Sequence, residues 1–234
     1  MSAAPAPRPD DGWTLAVDTS TVVAVGLAHD GTAVAAETVG DNHSHVELLV
    51  PTIGTVLARA GIGWDGLTRI GVGVGPGPFT GLRVGMTTAI TAGIVSGLPV
   101  RGVCSLDVIA ARWAADGAPD EFVIASDARR RELYWARYRA GRRVGAPRVS
   151  APTELPELPT AGPGVDVCAE LLAGRCPAGA PRTIDPGLLA ARLGELPDTG
   201  LEPLYLRKPD AELPSARKSA LGGRRRRLRL GGAR

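Results

Sequence analysis

Residues 75–85 read GPGPFTGLRVG and directly follow the apolar segment 70–74. Four glycines and two prolines in eleven residues predict a tight turn between a buried strand and a helix that begins near Thr80. A phosphate-binding P-loop has the pattern GxxxxGK[ST], but here Gly81 is followed by Leu82 instead of lysine. The two prolines also remove two amide donors. The stretch therefore predicts a rigid turn that positions a helix, in preference to a phosphate grip.

The helix after this turn runs to about Ser96 and is apolar almost all round, which predicts burial on more than one side. Small residues recur every four positions and leave one ridge nearly free of side chains: Gly81, Gly85, Ala89, Gly93 and Gly97. Another backbone can approach such a ridge closely. The ridge either packs on the protein's own sheet or contacts a partner, and the sequence leaves both possibilities open.

Three strands precede the quoted turn, in segments 14–17, 21–28 and 32–39. The pair Asp30-Gly31 between two apolar runs predicts a two-residue hairpin. A helix follows, because Ser44 and Glu47 form a capping-box pattern and apolar residues recur behind them at helical spacing. The order of elements predicts a mixed sheet covered by helices.

A second unit begins near Asp120. Segment 121–126 is an apolar strand, and the alternation in 131–140 indicates another. Residues 145–187 contain many prolines and glycines, so short strands and loops are expected there. The segment DPGLLAARLGEL (185–196) predicts a further helix with proline in its first turn.

Charge is distributed unevenly. Residues 215–234 carry 8 of the 27 basic residues and no acid, so residues 1–214 carry 19 bases against 24 acids, about −5. The arginine-rich end predicts a disordered tail, or one that touches RNA phosphates nonspecifically. No apolar run has the length of a membrane span, and the start lacks the apolar stretch of a signal peptide. A cytoplasmic protein without a membrane role is expected.

Two carboxylates are candidates for chemistry. Asp18 and Asp127 each follow an apolar strand and open a turn, the first with Thr19 and Ser20 and the second with Ala128 and Arg129. Such placement suits a metal or phosphate site between two domains, and it suits plain turn capping equally well. His43 and His45 lie two residues apart, whereas metal pairs on a helix are spaced by four, and the three cysteines form no CxxC pair. Neither the histidines nor the cysteines predict a metal site, and no histidine-dependent catalysis is predicted.

The chain resembles the TsaB family of proteins in tRNA threonylcarbamoyladenosine synthesis. The resemblance covers residues 13–211 and rests on LAVDTS (15–20), HSHVELLVPTI (43–53), GVGVGPGPFTGLRVG (71–85), PVRGVCSLD (99–107), SDARRRELYWARY (126–138) and PLYLRKPDA (203–211). The most specific block is the loop with Gly75, Pro76, Gly77, Phe79, Thr80, Gly81 and Arg83.

The resemblance implies an α/β, actin-like and sugar-kinase-like fold of the ASKHA, ribonuclease-H-like class, with two domains and a shortened second domain. The corresponding division is a flexible segment at 1–12, a first domain at 13–106, a smaller second domain at 107–211 and a basic, disordered tail at 212–234. In nucleotide-binding members of this fold, the turns at Asp18 and Asp127 would be the two phosphate loops.

The resemblance also implies a non-catalytic paralogue of TsaD, since the two metal-binding histidines of TsaD correspond to Ser105 and Ile109 here. Such a subunit binds TsaD through its first domain, is joined by the TsaE ATPase, and meets tRNA indirectly through the complex. The expected interface consists of Val46, Leu49, Val50, Ile53, Gly85, Ala89 and Gly93. ATP or ADP with Mg²⁺ at the complex interface and a homodimer of the free chain are further expectations.

Two other functions stay open from the sequence. The first is a stand-alone ATP-dependent phosphotransferase or ATPase of the same fold, which would use Asp18 and Asp127 with magnesium. The second is a glycoprotease-like peptidase, against which the missing metal pair argues.

Overall fold

The computed structural model describes residues 11–40 and 45–207, which form two β-sheets with helices on their faces. The first sheet has the strand order β3-β2-β1-β4-β5, in which β1–β3 are antiparallel and β1, β4 and β5 are parallel. Its strands are β1 (Trp13–Asp18), β2 (Val23–His29), β3 (Thr32–Val39), β4 (Leu67–Gly73) and β5 (Val100–Val103).

The predicted first hairpin is confirmed. His29 pairs with Thr32 across a two-residue turn, and Asp30 and Gly31 have φ angles of 48° and 72°. Positive φ at both central positions is the geometry of a type I′ turn, which matches the twist of the flanking strands. The β2–β3 hairpin therefore follows from local turn chemistry.

The two faces of the first sheet differ in side-chain size. Large residues of β1 and β2, such as Leu15, Val25 and Leu27, pack against α1 (His45–Arg59). The alternate positions carry alanines and Gly26, and they pack against the short helix α6 (Pro186–Ala191). Because side chains alternate along a strand, the large residues all lie on the face toward α1 and the small residues on the face toward α6.

Helix α2 (Phe79–Ser96) begins one residue after Pro78 and ends at Gly97, whose φ of 68° is typical of a helix C-terminus. The prediction that α2 is buried on more than one side is wrong at its C-terminal end, where Ile94 and Val95 are 77% and 80% exposed. The helix packs on β4 and against α1, and these contacts leave the opposite face uncovered.

The second sheet has the order β8-β7-β6-β9. Its strands are β6 (Glu121–Asp127), β7 (Leu133–Arg139), β8 (Arg142–Ser150) and the short β9 (Thr160–Ala161). Loops and short strands were expected from residue 145 onward, but β8 continues to Ser150. Strand β8 tolerates Pro147 because it lies at the sheet edge, where one side of the strand needs no partner. The short helices α4 (Gly164–Val167) and α5 (Ala169–Leu172) follow.

Helix α3 (Ser105–Ala115) joins the two sheets, and a single buried cluster contains its apolar residues together with those of β6, β7 and α6. Residues after 185 return to the first sheet. A Cβ at Gly26 would lie 1.9 Å from the carbonyl oxygen of Pro186, and the amide of Leu204 donates to the carbonyl of Val74. The structure thus differs from the predicted boundary, which placed all of residues 107–211 in the second domain.

Residues 1–10, 41–44 and 208–234 lie outside the described residues. The predictions for the N-terminal segment, the basic tail, His43 and the capping residue Ser44 therefore stay predictions. Within the described part of the chain, no helix has both the length and the apolar character needed to cross a bilayer.

Candidate functional site

The turn after β1 is closed around Asp18. This side chain is fully buried; its Oδ1 accepts hydrogen bonds from the amide and hydroxyl of Ser20 at 2.7 and 2.6 Å. Its Oδ2 accepts from the hydroxyl of Ser105, at the start of α3, at 2.6 Å. Burial raises the pKa of Asp18, against the opposing effect of these hydrogen bonds. Both oxygens of the carboxyl group are thus engaged inside the protein.

The loop GPGPFTGLRVG covers this turn. A Cβ at Gly73 would lie 1.7 Å from Asp18 Oδ2, and one at Gly77 would lie 2.7 Å from the carbonyl oxygen of Ser20. The hydroxyl of Thr19 donates to the carbonyl of Gly81 at 2.7 Å. Glycines in and before the loop therefore let its backbone pack on the turn after β1, and the loop acts as a cover in this structure.

Phe79 and Arg83 of the loop contact Tyr205 in the C-terminal segment. The Phe79 and Tyr205 rings lie 4.8 Å apart, and the Arg83 guanidinium lies 4.0 Å from the centroid of the Phe79 ring. Arg83 Nε also donates to the Tyr205 hydroxyl at 3.3 Å. Thr80 is exposed and Pro76 is buried. Arg83 is therefore engaged with an aromatic pair.

The turn after β6 is stabilised mainly by contacts within the turn itself. Asp127 Oδ1 accepts from the amide of Arg129 at 2.7 Å, and Asp127 Oδ2 lies 3.4 Å from the Arg129 guanidinium. The carbonyl of the buried Ala128 accepts from Arg207. The glycine turn at 160–165 packs against β6, since a Cβ at Gly162 would lie 2.3 Å from the carbonyl oxygen of Ala125.

These arrangements do not fit a nucleotide with Mg²⁺. A magnesium ion binds through accessible carboxylates or through waters held by them, and Asp18 offers no accessible oxygen. No group of three His, Cys, Asp or Glu side chains able to hold a metal occurs among the described residues. Asp18 caps its turn with both oxygens engaged, and Asp127 caps its turn through the amide of Arg129 with a partly exposed carboxylate.

The predicted interface residues need correction. Leu49 and Ile53 are fully buried against the first sheet, and Gly85, Ala89 and Gly93 are buried as well. The small-residue ridge packs inside the protein: a Cβ at Gly93 would lie 2.2 Å from a methyl group of Val100. Of the predicted set, Val50 is exposed, at 57%, and the side chain of Val46 lies outside what the structure describes.

The exposed faces of α1 and α2 carry other residues, and three of them are charged: Glu47 and Arg59 near the ends of α1, and Arg83 near the start of α2. The uncharged ones are Thr80, Thr87, Thr91, Ile94, Val95 and Ser96 on α2, and Val50, Pro51, Gly54, Thr55 and Ala58 on α1. The two helices pack against each other. We call the uncharged residues the uncharged helix face. The sequence signal that could have identified it was the run of threonine and β-branched residues spaced by three or four along α2.

Comparisons with known proteins show to which family the chain belongs. The family model described as "TsaD: tRNA N6-adenosine threonylcarbamoyltransferase" matches residues 39–184, more than half of the sequence. The chain belongs to this family. An uncharacterised protein of Mycobacterium tuberculosis strain H37Rv is 40% identical over 202 residues, which cover 85% of this chain and 93% of that protein.

Within the family the chain is TsaB-like. The Escherichia coli protein named "tRNA threonylcarbamoyladenosine biosynthesis protein TsaB" is 35% identical over 126 residues, which cover 53% of this chain and 54% of that protein. The structure of YeaZ from Pseudomonas aeruginosa superimposes with a TM-score of 0.66 at 27% identity, covering 83% of this chain and 100% of that one. The predicted family and its actin-like fold class are thus confirmed. The match spans about half the length of the TsaB protein.

A cavity of about 510 Å³ lies between the β7–β8 hairpin and the segment after α6 in this TsaB-like chain. Asp107 lines it, and its Oδ1 accepts from the Tyr138 hydroxyl at 2.8 Å and from Arg143 Nε at 2.9 Å. Asp107 Oδ2 has no hydrogen-bond partner among the described residues. Burial raises the pKa of Asp107, against the lowering effect of Arg143. Sequence reasoning missed this group because its members come from separate elements.

Proposed function

We propose that this chain is a non-catalytic scaffold subunit of a tRNA threonylcarbamoyltransferase complex, where it binds a TsaD-type catalytic subunit and a TsaE-type ATPase joins the pair. The names of the TsaB relatives support a role in tRNA threonylcarbamoyladenosine synthesis. The observation that carries the scaffold role is the sealed turn at Asp18 beside two helices with an uncharged, exposed face.

The residues at the positions of the TsaD histidines support a non-catalytic role. Ser105 is buried, and its hydroxyl donates to Asp18 and accepts from the amide of Gly75. Ile109 is buried in the core that joins the two sheets. Both side chains therefore serve the fold, and neither is a metal ligand of the imidazole type.

The uncharged helix face suits a protein partner. Exposed side chains such as Ile94, Val95 and Val50 bury apolar area on docking, at roughly 25 cal/mol per Å². Interface cores are depleted of charged residues, and the exposed charged residues of the two helices, Glu47, Arg59 and Arg83, lie near helix ends. A second copy of the chain could use the same face when the partner is absent, which would give a homodimer.

In this proposal, nucleotide binds to the complex and not to the isolated chain. ATP or ADP with Mg²⁺ would lie at the interface with the partner, outside the closed turn at Asp18. The chain acts in the cytoplasm, where its tRNA substrate is made.

The decisive experiment measures threonylcarbamoyl transfer to tRNA by the cognate TsaD-type subunit, with TsaE-type ATPase, ATP and threonylcarbamoyl-adenylate. Transfer is expected to depend on this chain, which alone has no activity. Equal transfer without the chain would overturn the proposal. Tight binding and turnover of ATP by the isolated chain, abolished by Asp18→Asn, would instead favour the phosphotransferase.

A matched pair of variants tests the docking face. The double variant Ile94→Asp/Val95→Asp places two charges on the face and is expected to weaken partner binding at least 30-fold, about 2 kcal/mol. The control is Val167→Asp/Leu171→Asp, because these residues are also exposed, each at 53%, but lie on the second domain. Calorimetric titration and a melting curve for each variant separate docking from folding. Equal affinity of both variants for the partner would contradict docking through α2.

A further inference from the structure

Positive charge in the described part of the chain is concentrated in one short segment. Residues 128–150 contain eight arginines and a single acid, Glu132. The other described residues contain nine basic and nineteen acidic side chains. The segment comprises the turn after β6, strand β7 and strand β8. A basic surface thus lies on an otherwise acidic body.

Strand register places four of these arginines on one face of the second sheet, the face turned away from α3. Arg137 and Arg139 alternate with Tyr138, which packs inward, and both pair with Glu121 of β6 at 2.5 Å. Arg148 lies over the ring of Trp135, two residues before Arg137 on the same side. Arg142 is paired directly with Arg139. We call Arg137, Arg139, Arg142 and Arg148 the arginine face.

The arginine face is open. The other half of the same sheet face is covered, because Leu133 and Trp135 pack with apolar residues of α4 and α5. Beyond Trp135 this cover ends, and the Arg139 side chain is 58% exposed. Glu121 is the carboxylate that contacts the face, and its hydrogen bonds with Arg137 and Arg139 lower its pKa, so it stays ionised at neutral pH. One acid against four arginines leaves the face positive.

Local stability does not explain this arrangement. Like charges directly opposite each other on neighbouring strands, as in Arg139 and Arg142, are destabilising. Charge on an edge strand can block aggregation, and this accounts for arginines on β8. It does not account for Arg137 and Arg139, because β7 lies inside the sheet between β6 and β8.

We infer that the arginine face binds the phosphate backbone of RNA, and that the RNA is the tRNA substrate of the proposed complex. This inference rests on the proposed function. Guanidinium groups match phosphates bidentately, and a row of them on a sheet follows a repeating anion. A protein interface would need an apolar or aromatic core, but Val144 is the exposed large apolar residue here, and Trp135 is buried. Binding through phosphates alone is sensitive to salt and tolerant of sequence.

The test measures binding of an unmodified tRNA transcript by fluorescence anisotropy at several salt concentrations, with full-length protein. The background protein carries Arg224→Gln, Arg225→Gln, Arg226→Gln, Arg227→Gln and Arg229→Gln, which remove the five central tail arginines without shortening the chain. In this background, Arg139→Gln/Arg142→Gln is expected to reduce affinity about ten-fold or more. The slope of log affinity against log salt is expected to fall by about 1.5 to 2.

Two further variants sharpen the test. Arg59→Gln/Arg182→Gln removes two exposed arginines that pair with Glu37 and Asp166 elsewhere on the surface, and it is expected to leave affinity within two-fold. Glu121→Gln removes the acid from the arginine face and is expected to tighten tRNA binding a few-fold. The inference would be overturned if Arg59→Gln/Arg182→Gln lost as much tRNA affinity as Arg139→Gln/Arg142→Gln. It would also be overturned if Glu121→Gln did not tighten tRNA binding.

Transfer assays with the whole complex separate this inference from the proposed function. Arg139→Gln/Arg142→Gln is expected to raise the KM for tRNA while partner docking stays unchanged. If transfer depends on the chain but this variant has the parent KM and tRNA affinity, the inference fails and the proposed function stands. If the variant loses affinity for the TsaD-type or TsaE-type protein and keeps tRNA affinity, the arginine face is a protein-docking surface and the inference fails.

Discussion

The turns after β1 and β6 open in the same way, with an aspartate at the end of an apolar strand, and the structure treats them differently. Asp18 is fully buried and receives hydrogen bonds from Ser20 and Ser105. The side chain of Asp127 is 26% exposed and contacts Arg129 of its own turn. The first turn lies under the GPGPFTGLRVG loop, whereas the second lies next to an arginine-rich strand.

The accessibility of an aspartate at a strand end therefore depends on what packs onto it. In the first domain, the loop and the start of α3 occupy the space that a phosphate would need. The first domain is left with an uncharged helix face, and the second with an arginine face. We propose that the two domains therefore serve different partners, one protein and one RNA.

The largest expected effect comes from opening the closed turn. Gly73→Ala places a Cβ 1.7 Å from Asp18 Oδ2, so the carboxyl group or the strand must move. We expect a loss of about 3 kcal/mol in the free energy of unfolding, measured by urea denaturation. Gly54→Ala is the control, because nothing lies within 4 Å of its Cβ in α1, and it should gain about 0.5–1 kcal/mol. A Gly73 variant as stable as the parent would contradict the closed turn.

A smaller loss is expected when the link from α3 to Asp18 is removed. Ser105→Ala leaves a buried carboxyl oxygen without its donor and the amide of Gly75 without its acceptor. The expected cost is about 2 kcal/mol. The exposed Ser96→Ala at the end of α2 is the control, with an expected change within about 0.5 kcal/mol. Equal stability of the two variants would mean that Ser105 does not support the turn.

Asp18 makes a pH-dependent contribution to the free energy of unfolding, because its pKa differs between the folded and unfolded states. Burial raises this pKa above the unfolded value of about 3.9, so the native state binds the proton more tightly than the unfolded chain. The stabilisation is fully present below about pH 3.9 and is lost as the pH rises through the folded pKa. Asp18→Asn lacks this dependence. The stability difference between variant and parent should therefore shift in the variant's favour as pH rises, in urea titrations at a series of pH values. A constant difference would refute the raised pKa.

The smallest effect is expected at the open turn. Asp127→Asn keeps an oxygen that can accept from the amide of Arg129 and loses a partly exposed ion pair. Such pairs contribute little, so the free energy of unfolding should change by less than about 0.5 kcal/mol. A loss as large as that of Ser105→Ala would show that the two turns are equally important for folding.

The local elements and the family follow from residues that lie close together along the chain. The hairpin at Asp30-Gly31, the meander β1–β3 and the start of α2 depend on turn chemistry and periodicity within a few residues, so they could be predicted. The loop GPGPFTGLRVG and the other sequence motifs could identify the family because each motif is a contiguous stretch of the chain.

The state of the candidate site depends on contacts made in the folded structure. Asp18 accepts a hydrogen bond from Ser105, which is 87 residues away, and the helix that begins at Pro186 packs against Gly26. The periodicity of α2 could not say which of its apolar sides is covered. These outcomes depend on contacts between segments far apart in the chain, which are set by how the elements pack together and not by the residues next to them.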